Sequence, residues 1–362
     1  MKSYIKKIKN IKDKFAKFNG SEIDNVLNVL NNENIDYVKK LEMLFCKKFK
    51  VKYAIACNSG TSGLHSALAA LNLKKDDEVI VPGLTVVMDA YAALHLGATP
   101  IFADVDEETY LITAETIKKK LSKKTKAIIV VSLQGLPVDI DPIKKLVKGK
   151  NIFVIEDNAQ DMFGKYKGKI SGINGDISVW SFENKKHLSG ATEGGIITTN
   201  KKRLAEKIRK FAGIGYKNMT ANGGRTSLAI STVQDPNYER FDTVGLNYRM
   251  PQIVAAVCYA QLKNVKKIVQ RRIKVANYFS EAIKDSKLLI EQEKSKNISH
   301  SHYTFSAKLI NNKKKTWKDI YNLYKSKTGH GFYGACVCPH LEPAIKTHMR
   351  RIGCFNCRKI ST

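Results

Sequence analysis

The chain has 362 residues, 43% of them hydrophobic, with 62 lysines and arginines against 33 aspartates and glutamates, for a formal charge of +29. That length and apolar content support a folded, soluble protein with one large and one small domain. No apolar run reaches membrane-spanning length, no signal-peptide core follows the basic stretch MKSYIKKIKNIKDKF, and the seven cysteines are an odd number, so a cytoplasmic protein with free thiols and no membrane partner is expected.

A helical N-terminal section ends near Phe49, and the strand-like YAIAC runs through NSGTSG into the helical pattern LHSALAAL. EVIVP, a helix from about Thr85 to Leu96, TPIFADVD, a helix near Thr113 to Leu121 and the apolar run AIIVVSL follow. PVDIDPIKKLVKG reads as a helix, NIFVIED as a strand, and DISVWSF and GGIITTN as two more, making about seven strands before Asn200. Short β-branched runs alternating with helices predict an α/β fold with a mostly parallel, buried sheet. A helix to Ala212, a Gly, Asn and Thr-rich loop over 213–242, and the long helical pattern IVAAVCYAQLKNVKKIVQRRIKVANYFSEAIK come next. The strand YTFSAKLI and the helix TWKDIYNLYKSKTG then suggest a small α+β domain, giving expected domains of 1–245 and 246–362.

The lysines are scattered, with small clusters at 118–120, 123–126 and 313–315, and no helix-turn-helix, zinc-finger or RNA-recognition signature accompanies them. No nucleic-acid partner is expected, and the charge suits an anionic small substrate.

Three short stretches carry chemistry. In NSGTSG a strand turns through small residues into a helix, whose free N–H groups and positive dipole end suit a phosphate. Simple helix capping by Ser59 or Thr61 would explain the same residues. In VIEDNAQ, Glu156 and Asp157 end an apolar strand, where open α/β sheets bind ligands; a turn or capping aspartate is the plainer alternative. In VWSFENKKHLSGATEGG, Ser181 ends another strand and lysines follow within reach of the same sheet edge. A phosphate cradle, a carboxylate for a pyridine nitrogen and a lysine amine are what pyridoxal phosphate requires.

The blocks NSGTSGLHSALAAL, VPGLTVVMDAYAALHLGATPIFADVD, VIEDNAQDMFGKYKGKISGINGDISVWSFENKKHLSGATEGGIITTN and VGLNYRMPQIVAAVCYAQL resemble, in order, the DegT/DnrJ/EryC1/StrS family of pyridoxal-phosphate-dependent sugar aminotransferases. The resemblance runs from about Ala54 past Met250. It implies a fold-type I, aspartate aminotransferase-like domain and an amino group passed from glutamate or glutamine to a nucleotide-linked keto-deoxysugar, for a surface glycan. It also implies the cofactor pyridoxal 5′-phosphate and a homodimer with shared active sites.

By the same resemblance, the phosphate loop falls on Gly60, Thr61 and Ser62, the acid facing the ring nitrogen on Asp157, a neighbour of the ring on Gln160, and a phosphate-binding serine on Ser181. Asn247 matches the asparagine that reaches the other subunit's phosphate. The lysine five residues after the serine is Lys186, catalytic with Asp157; Lys185 is expected to be solvated. Counting back from Glu193 instead lands on His187, unless SGAT holds one inserted residue, and a dehydratase branch of the family carries histidine there. A sugar dehydratase using His187, and a non-catalytic homologue acting as a regulator, are therefore the alternatives.

Three departures from the family pattern stand out. Val86 replaces the aromatic residue that stacks on the ring, and Ser132 and Gln134 replace a usual His and Tyr. The C-terminal stretch ends at RRIGCFNCRKIST where relatives continue, which suggests a truncated small domain. A zinc site from Cys336, Cys338, His340, Cys354 and Cys357 is a rival reading of that tail, although its spacing is looser than paired knuckles.

Overall fold

In the computed structural model, residues 18, 20–223, 229–293, 297–310, 315–328, 331–333 and 338–351 are described. Two helices, Ser21–Leu30 and Tyr37–Phe49, precede strand β1, Tyr53–Cys57. Helix Gly60–Ala69 leads to β2, Glu78–Pro82, and helix Met88–Leu94 to β3, Thr99–Ala103. After helix Ala114–Lys118 come β4, Thr125–Val131, helix Ile140–Val147 and β5, Phe153–Asp157. The two-residue strands β6, Lys165–Tyr166, and β7, Lys169–Ile170, form an excursion before β8, Ile177–Ser181, and β9, Gly195–Thr199.

The seven long strands form one sheet in the order β1-β9-β8-β5-β4-β2-β3. Pairing is parallel from β3 through β8, and β9 is antiparallel to both its neighbours. The sheet is therefore the mostly parallel one expected. Its strands read as unbroken apolar runs because both faces are covered. Alternate residues supply two cores. Ile55, Val179 and Ile197 face the helices that connect the parallel strands, while Ala54, Ala56, Trp180 and Ile196 face the N-terminal helices and the long helix Gln252–Ile283. Trp180 lies 5.0 Å from the ring of Phe45 and 5.3 Å from that of Phe49, so the N-terminal section is pinned to the sheet by aromatic packing.

Several elements are shorter than their sequence patterns. The helix expected from Thr85 occupies only Met88–Leu94, because Thr85 and Val86 belong to the turn that delivers it. Of YTFSAKLI only Ala307–Leu309 is strand, paired with Leu289–Glu291. Among the described residues no helix is long and apolar enough to cross a membrane, and no group of His, Cys, Asp and Glu could hold a metal ion. Cys336, Cys354 and Cys357 of the zinc reading lie outside the described residues.

Candidate active site

The topology gathers the candidate residues. β1, β2, β5 and β8 all point the same way, so the loops leaving Cys57, Pro82, Asp157 and Ser181 emerge at one sheet edge. Across β9, Gly195 pairs with both Cys57 and Ser181, which sets the NSGTSG turn beside the end of β8.

Ser59 caps helix Gly60–Ala69 in a reciprocal box: its hydroxyl accepts from Ser62 N at 3.1 Å, and Ser62 Oγ accepts from Ser59 N at 3.1 Å. The Ser62 side chain, expected to bind a ligand, is thus buried and engaged in the cap. Helix geometry leaves the amides of Gly60 and Thr61 without intrahelical acceptors, and Thr61 is exposed. Gly60 is required by closeness: a Cβ there would stand 2.8 Å from Ser181 Cβ. Ser181 is buried, with its hydroxyl accepting from Glu183 N at 3.3 Å.

Asp157 ends β5, 4% exposed, and accepts from Ala159 N at 2.8 Å. Burial raises its proton affinity, and the Ala159 amide, the nearby Lys186 charge and the Asp89 carboxyl lower it. Gln160, also buried, accepts from Gln134 N at 2.7 Å and so holds the turn after β4. Val86 is 43% exposed beside this edge.

β8 stops at Ser181, and the next residues turn: Lys186 N donates to Glu183 O at 2.9 Å. The turn, rather than strand alternation, separates the two lysines. Lys185 is exposed, whereas Lys186 is half-buried with its Nζ 4.3 Å from the ring centre of Tyr303. Burial lowers the proton affinity of the Lys186 amine, with Asp157 pulling the other way. His187 is buried, and its Nε2 lies 3.0 Å from Ser301 O. Within SGAT, exposed Ala191 takes φ 69° in a bend.

With Tyr248 O accepting from Asn58 N at 2.9 Å and Arg249 bridging to Cys57, Asn247 is brought close to the start of the NSGTSG turn. It is exposed, its Oδ1 accepts from Arg249 Nε at 2.9 Å, and its backbone bridges to Gly213.

Three contributors escaped the sequence reading. Arg272, on the long helix, donates to the carbonyls of Tyr303 at 2.6 Å, Lys185 at 2.8 Å and Lys186 at 3.3 Å, so it clamps the lysine turn. Tyr303 supplies the ring beneath Lys186, and it arrives from a segment seated on Gly135, whose φ of +99° and closeness to Tyr303 N exclude a side chain. Asp89 is fully buried against Asp157. Arg272 is one basic residue among 62, and nothing local marks it; Asp89 does carry a signal, as an acid inside the apolar stretch VVMDAYAAL.

The model of the DegT/DnrJ/EryC1/StrS aminotransferase family matches residues 17–333. A GDP-perosamine synthase from Escherichia coli O157:H7 is 37% identical over 271 residues, covering 75% of this chain and 69% of its own. The structure of an aminotransferase from Psychrobacter cryohalolentis is similar with a TM-score of 0.81 at 28% identity, over 93% of this chain and 90% of that one. An E. coli GDP-4-keto-6-deoxy-D-mannose-3-dehydratase with bound hydrated PLP gives 0.76 at 26% identity, over 86% and 82%.

Proposed function

This chain belongs to the DegT/DnrJ/EryC1/StrS aminotransferase family and is a pyridoxal-phosphate-dependent sugar aminotransferase, and from that premise we propose that it passes an amino group from glutamate or glutamine to a nucleotide-linked keto-deoxysugar. The product is an amino sugar for a surface glycan, made in the cytoplasm. The GDP-linked chemistry named for the 37% identical relative makes a GDP sugar the first candidate. The observation that carries the residue assignment is the half-buried Lys186 amine facing the buried Asp157 carboxylate at the sheet edge where Gly60 and Ser181 meet.

The residues present fit pyridoxal 5′-phosphate. Lys186 is held over a ring face and enters no ion pair within salt-bridge distance among the described residues, and the Gly60 to Ser181 approach leaves a backbone cradle that a Cβ would fill. When bound, the cofactor supplies an electron sink and a carrier for the amino group. The Gly60 and Thr61 amides, with the Ser181 hydroxyl, would hold its phosphate at the helix N-terminus. Asp157 would keep a proton on the ring nitrogen. Val86 forms an aliphatic wall in place of an aromatic one. Lys186 would be the covalent attachment point, and its amine would take a proton from the donor's Cα and deliver one to the sugar carbon in the second half. Its lowered proton affinity suits an amine that must be free to accept.

A homodimer completes the site in this reading, with Asn247 directed to the partner's phosphate. Exposed Phe241, Val244 and Leu246, close to Asn247 in sequence, support an interface there.

The test is the absorption spectrum of the purified protein with added pyridoxal phosphate, before and after glutamate, for the wild type, Lys186→Ala and His187→Ala. A visible band that glutamate shifts, and that Lys186→Ala alone abolishes, is expected. Cofactor binding without that band, or its loss only in His187→Ala, would transfer the assignment to the dehydratase chemistry.

A further inference from the structure

Asp89 sits in helix Met88–Leu94, which follows β2 to the same sheet edge as Asp157, and it is 0% exposed. Its Oδ2 accepts from Thr85 Oγ1 at 2.5 Å, while its Oδ1 has no hydrogen-bond partner. The group its carboxyl meets is the carboxyl of Asp157. Two carboxylates in contact in a dry interior do not both ionise.

The surroundings decide which one keeps the charge. Asp157 has the Ala159 amide and the Lys186 cation to stabilise an anion. Asp89 has the Thr85 hydroxyl, and no cation among the described residues acts on it. Burial, and after it the Asp157 charge, pushes the Asp89 carboxyl well above the usual carboxylate range.

We propose that Asp89 is a positioning residue that shares one proton with Asp157, donating it as a hydrogen bond so that Asp157 meets the cofactor's ring nitrogen as a fixed anion. The proton turns the unpartnered Asp89 oxygen into a donor. The pair then carries one negative charge, which balances one cation in either state of the site: Lys186 before the cofactor is attached, the protonated ring nitrogen afterwards. This extends the role given to Asp157 above and rests on it for its catalytic meaning.

The proton itself is testable without cofactor. The folded, cofactor-free protein holds it at neutral pH, and the unfolded chain, with ordinary aspartates, releases it. A proton bound more tightly by the folded state makes stability fall as pH rises. Urea unfolding of the cofactor-free wild type and Asp89→Asn from pH 5 to 8 should therefore differ in slope by about one proton, a tenfold faster rise of the unfolding constant per pH unit in the wild type. A residue that merely packs would lower stability equally at every pH. Equal slopes overturn the proposal. If Asp89→Asn does not fold, Asp89→Ser takes its place, and equal slopes for it and the wild type overturn the proposal in the same way. In the loaded enzyme, Asp89→Asn, which still donates to Asp157, should bind pyridoxal phosphate within about threefold of wild type, and Asp89→Leu about tenfold more weakly, the size of one lost hydrogen bond to a charged group. The slopes judge the shared proton even if the Lys186 spectra overturn the transaminase reading.

Discussion

Lys185 and Lys186 are neighbours in sequence with opposite surroundings, and the difference comes from one turn. The strand ends at Ser181, so the chain can bend at Glu183 and send one amine to solvent and the next over Tyr303. Gly60 shows the same sensitivity at the other side of the site. Gly60→Ala places a methyl 2.8 Å from Ser181 Cβ, in backbone and side chain that cannot swing away. The variant should lose about 1–3 kcal/mol of stability through overpacking, and its pyridoxal phosphate affinity should fall at least about tenfold as the cradle opens. Spectral titration beside urea unfolding checks both, and an affinity equal to wild type would remove Gly60 from the cradle. Residues of this kind were legible where a local pattern marked them: the small-residue turn, the acid at a strand end, the lysine after a serine. Asp89, Arg272 and Tyr303 were not placed, because their roles exist only through partners 68, 86 and 117 residues away in the chain.

At the scale of elements, the long helix Gln252–Ile283 does two jobs. Its buried face, including Ala256, Cys258, Leu262 and Val265, closes the second core against the N-terminal helices. Its Arg272 reaches the lysine turn. Arg272→Leu should therefore slow the enzyme more than it unfolds it: kcat falls, while KM for the sugar changes little. Arg272→Lys should not restore the rate, since one ammonium cannot span three carbonyls as the planar guanidinium does. Steady-state kinetics beside thermal melts would expose a purely structural role as a loss of stability with kcat intact. Elsewhere, helix Tyr37–Phe49 is tied to helix Lys202–Ala212 by a two-pronged pair. Arg209 Nη1 and Nη2 lie 3.0 and 2.9 Å from the two Glu42 oxygens, and Ala56 N donates to Glu42 at 2.9 Å. Arg209→Leu leaves Glu42 charged and buried, and should cost about 3–5 kcal/mol in denaturant unfolding.

For the whole molecule, the charge is the dominant feature. With +29 spread over one chain, self-repulsion weakens the compact state, and salt screens it. Raising sodium chloride from about 0.02 to 0.5 M should stabilise the protein by on the order of 1–2 kcal/mol, about 1–3 °C in melting temperature. The same salt should raise KM for an anionic nucleotide sugar, because screening also removes its attraction. A melting temperature that falls with salt would show that specific ion pairs, such as Lys201 with Asp176, outweigh the net repulsion.

The sequence by itself determined the alternation of strands and helices, the mostly parallel sheet and the family. Those properties follow from unbroken apolar runs, small-residue turns and the order of motifs, all of which are local or sequential. Its resemblance to the family also pointed to Lys186, with His187 as the alternative. Only the tertiary structure decided which carboxyl faces Asp157, what lies beneath Lys186 and where the His187 ring points. Each of those depends on segments that meet across the end of the sheet, where direction is set by β9 joining β1 to β8 and by the seating of Ser301 to Tyr303 on Gly135. A one-dimensional pattern carries periodicity, whereas a proton shared by two acids requires two distant loops to end within hydrogen-bonding reach.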